Sequence, residues 1–170
     1  MNKNPFSGKI VYFSGPIRGV AEPETDIAWR LVRFLLECGA EVLNEHVAGR
    51  TLEEIREIRA KKLGDRAKEV MNSPSPWFYV REEDIAGVDA ATHVVALVSG
   101  PSHGVGMEIQ RALDKTRMGL NPTPVLCLVH TSCLDKLTWM IKGVGDVGFV
   151  LRTYEDAEDA ICEMYDFLTK

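Results

Sequence analysis

The sequence predicts an α/β domain: a doubly wound, flavodoxin- or Rossmann-like parallel sheet of about five strands with helices on both faces. Three observations predict it. Apolar runs of strand length alternate with helix-period segments along the whole chain. The runs are almost continuously apolar, as strands covered on both faces are. The segments between them are long enough for the right-handed helical crossovers that parallel strands require. At 170 residues, with 45% hydrophobic and 26% charged side chains, residues 1–170 read as one domain with a substantial core. No internal repeat or low-complexity tract interrupts it.

Each element has its own signal. Lys9 to Ser14 (KIVYFS) is rich in β-branched and aromatic residues and reads as the first strand. Thr25 to Cys38 carries Ile27, Leu31, Phe34 and Leu35 on one helical stripe, and Gly39 is placed to end it in the left-handed conformation. Glu41 to Asn44 is a short second strand. Thr51 to Met71 reads as a long charged helix, with Thr51 and Glu54 forming a capping box. Ser73-Pro74-Ser75-Pro76 breaks it, and Arg81 to Ala90 is a short helix leading into the strand Thr92 to Val98. Helix Gly106 to Met118, strand Pro124 to Val129, helix Cys133 to Lys142, strand Gly148 to Arg152 and helix Tyr154 to Leu168 complete the pattern.

Composition narrows the function classes. The net charge of −5, from 20 basic and 25 acidic residues, argues against a general nucleic-acid binder, which needs a basic face. No stretch approaches a membrane span, and Met1 to Gly8 lacks the apolar run of a signal peptide. Cys38, Cys127, Cys133 and Cys162 are scattered without metal-ligand spacing, so a reduced, cytoplasmic protein with no metal or cofactor is expected. Cys127, inside an apolar strand, is expected simply to pack.

Ligands of doubly wound sheets bind beyond the carboxyl ends of the strands. That rule selects three loops: Gly15 to Val20, Glu45 to Gly49 and Ser99 to Glu108. In the third, Gly104-Val105-Gly106-Met107-Glu108 opens a helix after a buried strand, where free backbone N–H groups and the helix dipole favour an anion. Glu108 falls in that expected first turn, beside the anion. The P-loop pattern and the third glycine of a dinucleotide fingerprint are both missing. In the first loop, Gly15 permits close backbone approach and Arg18 offers a fork for phosphate, although a solvated arginine in a plain turn fits equally well.

Other residues have bland readings of equal or greater weight. Tyr12 would ordinarily be a core tyrosine with one satisfied hydroxyl. His46 would ordinarily cap a loop. Asp84 and Glu108 would ordinarily be dipole partners in helix first turns. Two carboxylates converging on one crevice would instead form the pair that cleaves glycosidic bonds.

Taken together, Tyr12-Phe13-Ser14-Gly15-Pro16-Ile17-Arg18-Gly19, Val42-Leu43-Asn44-Glu45-His46-Val47, Glu83-Asp84, Pro101-Ser102-His103-Gly104-Val105-Gly106-Met107-Glu108 and Met140-Ile141-Lys142-Gly143 resemble the nucleoside 2-deoxyribosyltransferase superfamily. The resemblance is closest to its 2′-deoxynucleoside 5′-phosphate N-hydrolase branch. It implies a hydrolase acting on a (deoxy)nucleoside 5′-monophosphate, with base-exchanging transferase or non-catalytic nucleotide sensor as alternatives. By the same resemblance, Glu108 is the nucleophile that forms a covalent glycosyl-enzyme, Asp84 the acid and Tyr12 the hydroxyl that orients Glu108. Arg18 and Ser102 match the 5′-phosphate pocket, His46 lines the nucleotide site, and Gly15, Ile17, Gly104 and Gly106 are expected to bind the substrate with them. Thr138 matches a hydroxyl residue that reaches the phosphate from a neighbouring subunit, which implies a homodimer. Pro16 stands where these hydrolases carry a phosphate-binding serine, removing a hydroxyl and a backbone N–H.

Overall fold

The structure, a computed structural model, describes residues 4–16, 22–64, 66, 70 and 72–170. Five parallel strands form one sheet: β1 (Ile10–Ser14), β2 (Glu41–Val42), β3 (His93–Leu97), β4 (Val125–His130) and β5 (Phe149–Tyr154). Their order is β2-β1-β3-β4-β5, with Tyr12 opposite Val94 and Val95 opposite Leu126. The chain crosses from one side of β1 to the other between β2 and β3. That is the topological switch point, where a crevice opens at the carboxyl edge.

Strand period sorts the side chains. Val11 and Phe13 enter one core with Val95, Leu97, Leu126 and Leu128. Helices α1 (Glu22–Glu37) and α6 (Ala157–Leu168) cover that face through Ile27, Leu31, Leu35, Met164 and Leu168. Tyr12, Val94, Ala96, Cys127 and Val129 enter the opposite core. There Val88 of α3 (Pro76–Ala90) and Val105, Ile109 and Ala112 of α4 (His103–Asp114) pack against them. Both faces are therefore covered, as the near-continuous apolar strands require.

Local expectations hold at several ends. Gly39 has φ +86, with Gly39 N–H to Leu36 C=O and Ala40 N–H to Leu35 C=O both at 3.0 Å, a Schellman close to α1. The start of α2 (Leu52–Leu63) is a shifted capping box. Thr51 Oγ1 accepts from Glu54 N–H at 3.1 Å, while the Glu54 carboxylate reaches back to Arg50 N–H at 2.7 Å.

Several boundaries differ from expectation, among them the start of the closing helix, which is Ala157 because Tyr154 ends β5. Helix α2 ends at Gly64, φ +55, rather than running to Met71. Helix α3 starts at Pro76 rather than Arg81. Ser75 is its N-cap residue and the proline sits at the first helical position, where its missing N–H costs nothing. Helix α4 starts at His103 rather than Gly106, because Ser102 Oγ caps it by accepting from Val105 N–H at 3.4 Å. The expected helix Cys133–Lys142 is two pieces, a 3₁₀ segment Thr131–Lys136 and the short α5 (Trp139–Lys142). Buried Leu137 adopts extended backbone between them, dropping into the core, and Thr138 caps α5 by accepting from Met140 N–H at 3.3 Å.

Candidate active site

Strand alternation puts Tyr12 and Ser14 side by side on the face covered by α3 and α4. Both are fully buried. Earlier starts for α3 and α4 than the sequence suggested place Asp84 midway along α3 and Glu108 in the second turn of α4. Neither is a first-turn dipole partner. Both instead turn toward the end of β1.

There they meet hydroxyl groups. Tyr12 Oη donates to Glu108 Oε1 at 3.0 Å, and Ser14 Oγ donates to Glu108 Oε2. Asn44, just past β2, donates from Nδ2 to Tyr12 Oη at 3.1 Å. That donation occupies an oxygen lone pair and leaves the phenolic hydrogen free for a carboxylate. Asp84 also faces the Tyr12 hydroxyl. Burial first, then the charges of Glu108 and Asp84, hold the Tyr12 phenol protonated far above its ordinary range.

Asp84 is half-buried, and burial pushes its carboxyl up to about 6. The Glu108 charge adds to that push, while Arg59 and Lys62 oppose it. These two cations belong to α2, which lies against this edge: Arg59 pairs with Glu83 at 3.7 Å, and Lys62 Nζ donates to the Leu43 carbonyl. A carboxyl that holds its proton to about 6 can act as an acid near neutrality, as a paired glycosidase carboxyl must.

One glycine makes the convergence possible. A Cβ at Gly87 would lie 2.8 Å from Tyr12 Cε2, so only glycine lets α3 come this close to β1. Gly87 is one helical turn beyond Asp84 and shares its face. Gly15 lies against Val47. Its missing Cβ makes room for Val47 Cγ1, which would otherwise be 3.0 Å away.

His46 lies in the 3₁₀ segment Glu45–Ala48, buried, with Nδ1 making no hydrogen bond among the described residues. Burial, then Arg59 and Lys62, lower its pKa to about 4, so the ring is neutral near pH 7. Around the α4 start, Gly104 and Gly106 have open space where a Cβ would project; the nearest atom is Ser102 Oγ, 3.9 Å from the Gly104 position. Packing within the chain thus does not demand either glycine. Ile17 and Arg18 lie outside the described residues. Thr138 is exposed at the α5 cap, where its hydroxyl accepts from Met140 N–H and makes no hydrogen bond to the Tyr12–Glu108 cluster.

The expected trio Tyr12, Asp84 and Glu108 is therefore brought together. Ser14, Asn44 and Gly87 complete the cluster without having been singled out. For Ser14 the available signal was its two-residue spacing from Tyr12. For Asn44 it was position at a strand's carboxyl end. Among the described residues no group of three His, Cys, Asp or Glu side chains could hold a metal, and no helix is long and apolar enough to cross a membrane. Cys127 is buried in β4, its thiol pushed up to about 12 by burial.

Comparison with known proteins places this chain in a family. No family model matches the chain. The 5-hydroxymethyl-dUMP N-hydrolase of Rattus norvegicus is 35% identical over 156 residues, covering 92% of this chain and 82% of the relative. A Nematostella vectensis relative, provisionally named a 2′-deoxynucleoside 5′-phosphate N-hydrolase, is 32% identical over 161 residues, covering 93% and 95%. A Clostridium botulinum CMP N-glycosidase, BcmB, shares the fold with TM-score 0.59 over 92% of this chain and 98% of that one, at 19% identity. Fold and relatives define the class as an α/β N-glycosidase, an enzyme. Within that class, the chain belongs to the 5-hydroxymethyl-dUMP and 2′-deoxynucleoside 5′-phosphate N-hydrolase family.

Proposed function

We propose that this enzyme hydrolyses the N-glycosidic bond of a (deoxy)nucleoside 5′-monophosphate, releasing free base and (deoxy)ribose 5-phosphate through a covalent glycosyl-Glu108 intermediate. The observation that carries this reading is the Glu108 carboxylate held by Tyr12 and Ser14 next to the proton-holding Asp84.

Cleavage builds positive charge at the anomeric carbon, which an adjacent carboxylate stabilises and traps. A Glu108 oxygen bonds to that carbon as its bond to the base nitrogen breaks. The electron pair leaves with the base, and Asp84 supplies the proton. Water then attacks the same carbon, Asp84 takes up its proton, and Glu108 departs as carboxylate. The 5′-phosphate is assigned to the start of α4, beside Ser102, Gly104 and Gly106, and Gly15, Ile17 and Arg18 are assigned to the same substrate. His46, neutral and with Nδ1 making no hydrogen bond among the described residues, is assigned to the substrate's polar edge.

Glu108→Gln should lower base release by at least about 10³-fold while leaving the protein folded. Undiminished release would overturn the assignment. Exchange of bases when a free base is added would identify a transferase instead, and tight nucleotide binding without product would identify a sensor.

The working unit is assigned as a cytoplasmic homodimer. Trp139 and Met140, beside Thr138, are 86% and 79% exposed, an apolar surface unusual for a helix with nothing on it. In the dimer Thr138 reaches the partner's phosphate site. Sedimentation should give twice the 18.9 kDa chain mass, and a monomer that is fully active would contradict it.

A further inference from the structure

Resting on the proposed reaction, we infer that Ser14 is a positioning residue that makes Glu108 Oε2 the spectator oxygen and assists release of Glu108 from the glycosyl-enzyme. The two oxygens of Glu108 are not equivalent. Oε1 accepts from Tyr12, whose hydroxyl also has Asp84 in reach. Oε2 accepts from Ser14, whose hydroxyl makes no other hydrogen bond among the described residues.

The difference matters when one oxygen becomes an ester. The oxygen that bonds to the anomeric carbon becomes a poor acceptor, and its donor must find another partner. Tyr12 has one in Asp84. Ser14 is fully buried on a strand paired to β3, with its Cα opposite that of Ala96, so its hydroxyl would be stranded at a cost of about 1–3 kcal/mol. Esterification is therefore directed to Oε1, the oxygen on the Tyr12 and Asp84 side. Oε2 becomes the ester carbonyl and keeps its bond to Ser14.

That bond has work in the second half of the reaction. As water attacks the anomeric carbon, the bond from carbon to Oε1 breaks and its electron pair returns to the carboxylate. Negative charge then grows on both oxygens. A fixed donor to Oε2 strengthens as that charge develops, which is the condition for accelerating the step.

The test uses Ser14→Ala and the near-isosteric Ser14→Cys, with nucleoside monophosphates that the wild type hydrolyses. Ser14→Ala should lower kcat by about 10–100-fold, at or below the lower end of the range of about 10²–10³ for losing one such donor. Its KM should fall as well, because slow release accumulates the glycosyl-enzyme. Acid-quenched intact-mass measurement should show a larger fraction of protein carrying the added pentose 5-phosphate mass than in the wild type. Ser14→Cys, a weaker donor of similar size, should lie between the two, and it carries the test alone if the alanine variant does not fold. A variant that loses thermal stability while kcat, KM and adduct fraction stay at wild-type values overturns the inference and leaves the parent reading intact. Absence of base release by the wild type overturns both.

Discussion

The two faces of the sheet use the same strand in opposite ways. On one face β1 contributes Val11 and Phe13 to an apolar core closed by α1 and α6. On the other it contributes Tyr12 and Ser14, two buried hydroxyl residues whose partners are carboxylates on α3 and α4. The first face gains stability from buried apolar area. The second face gives some of that up, placing a half-buried Asp84 beside Glu108 so that burial and like charge raise its pKa. The lesson is a division of labour by strand period: Val11 and Phe13 hold the sheet, Tyr12 and Ser14 hold the chemistry.

That division can be broken experimentally, most forcefully at Phe13. Phe13→Ala should cost about 3–5 kcal/mol of folding stability, measured by denaturant unfolding. The folded fraction should keep the wild-type kcat. A large loss of kcat in fully folded Phe13→Ala protein would show that the faces are not separate.

A smaller effect of opposite sign belongs to Asp84. Its pKa is raised from 3.8 to about 6, so ionising it in the folded state costs stability at every pH above its unfolded value. The cost begins near pH 3.8, grows through pH 6 and is complete above that. Asp84→Asn should therefore abolish most base release while stabilising the protein at pH 8 by about 1 kcal/mol after allowance for solvent screening, or about 2–4 °C in Tm. The gain should shrink as pH falls below 6. A variant less stable than wild type at pH 8 would contradict the account.

Much of this arrangement was legible in the sequence, and unevenly so. The alternation of apolar runs and helical stripes predicted the parallel sheet, and Gly39 and Thr51 marked helix ends because their local chemistry is strong. Boundaries failed where one residue has two uses. Pro76 reads as a breaker yet opens α3, and Gly106 reads as a helix start although Ser102 had already capped α4. Those two shifts misplaced Asp84 and Glu108 as dipole partners. Tyr12, Asp84 and Glu108 were identifiable through resemblance, since residues as far apart as 12 and 108 give no local sign of meeting. Gly87 was invisible for the same reason. Its purpose is a 2.8 Å approach to a side chain on another element, which no local pattern announces.

The central claim is that the Glu108 carboxylate, clamped at the end of β1 beside Asp84, cleaves nucleotide N-glycosidic bonds. The most direct measurement is base release by wild type and Glu108→Gln across ribo- and deoxynucleoside 5′-monophosphates, with the dephosphorylated nucleosides in parallel. The account predicts release from at least one monophosphate by the wild type, at least about 10³-fold less from Glu108→Gln, and far less from the matching nucleoside. No release from any monophosphate, or equal release by the variant, would contradict it.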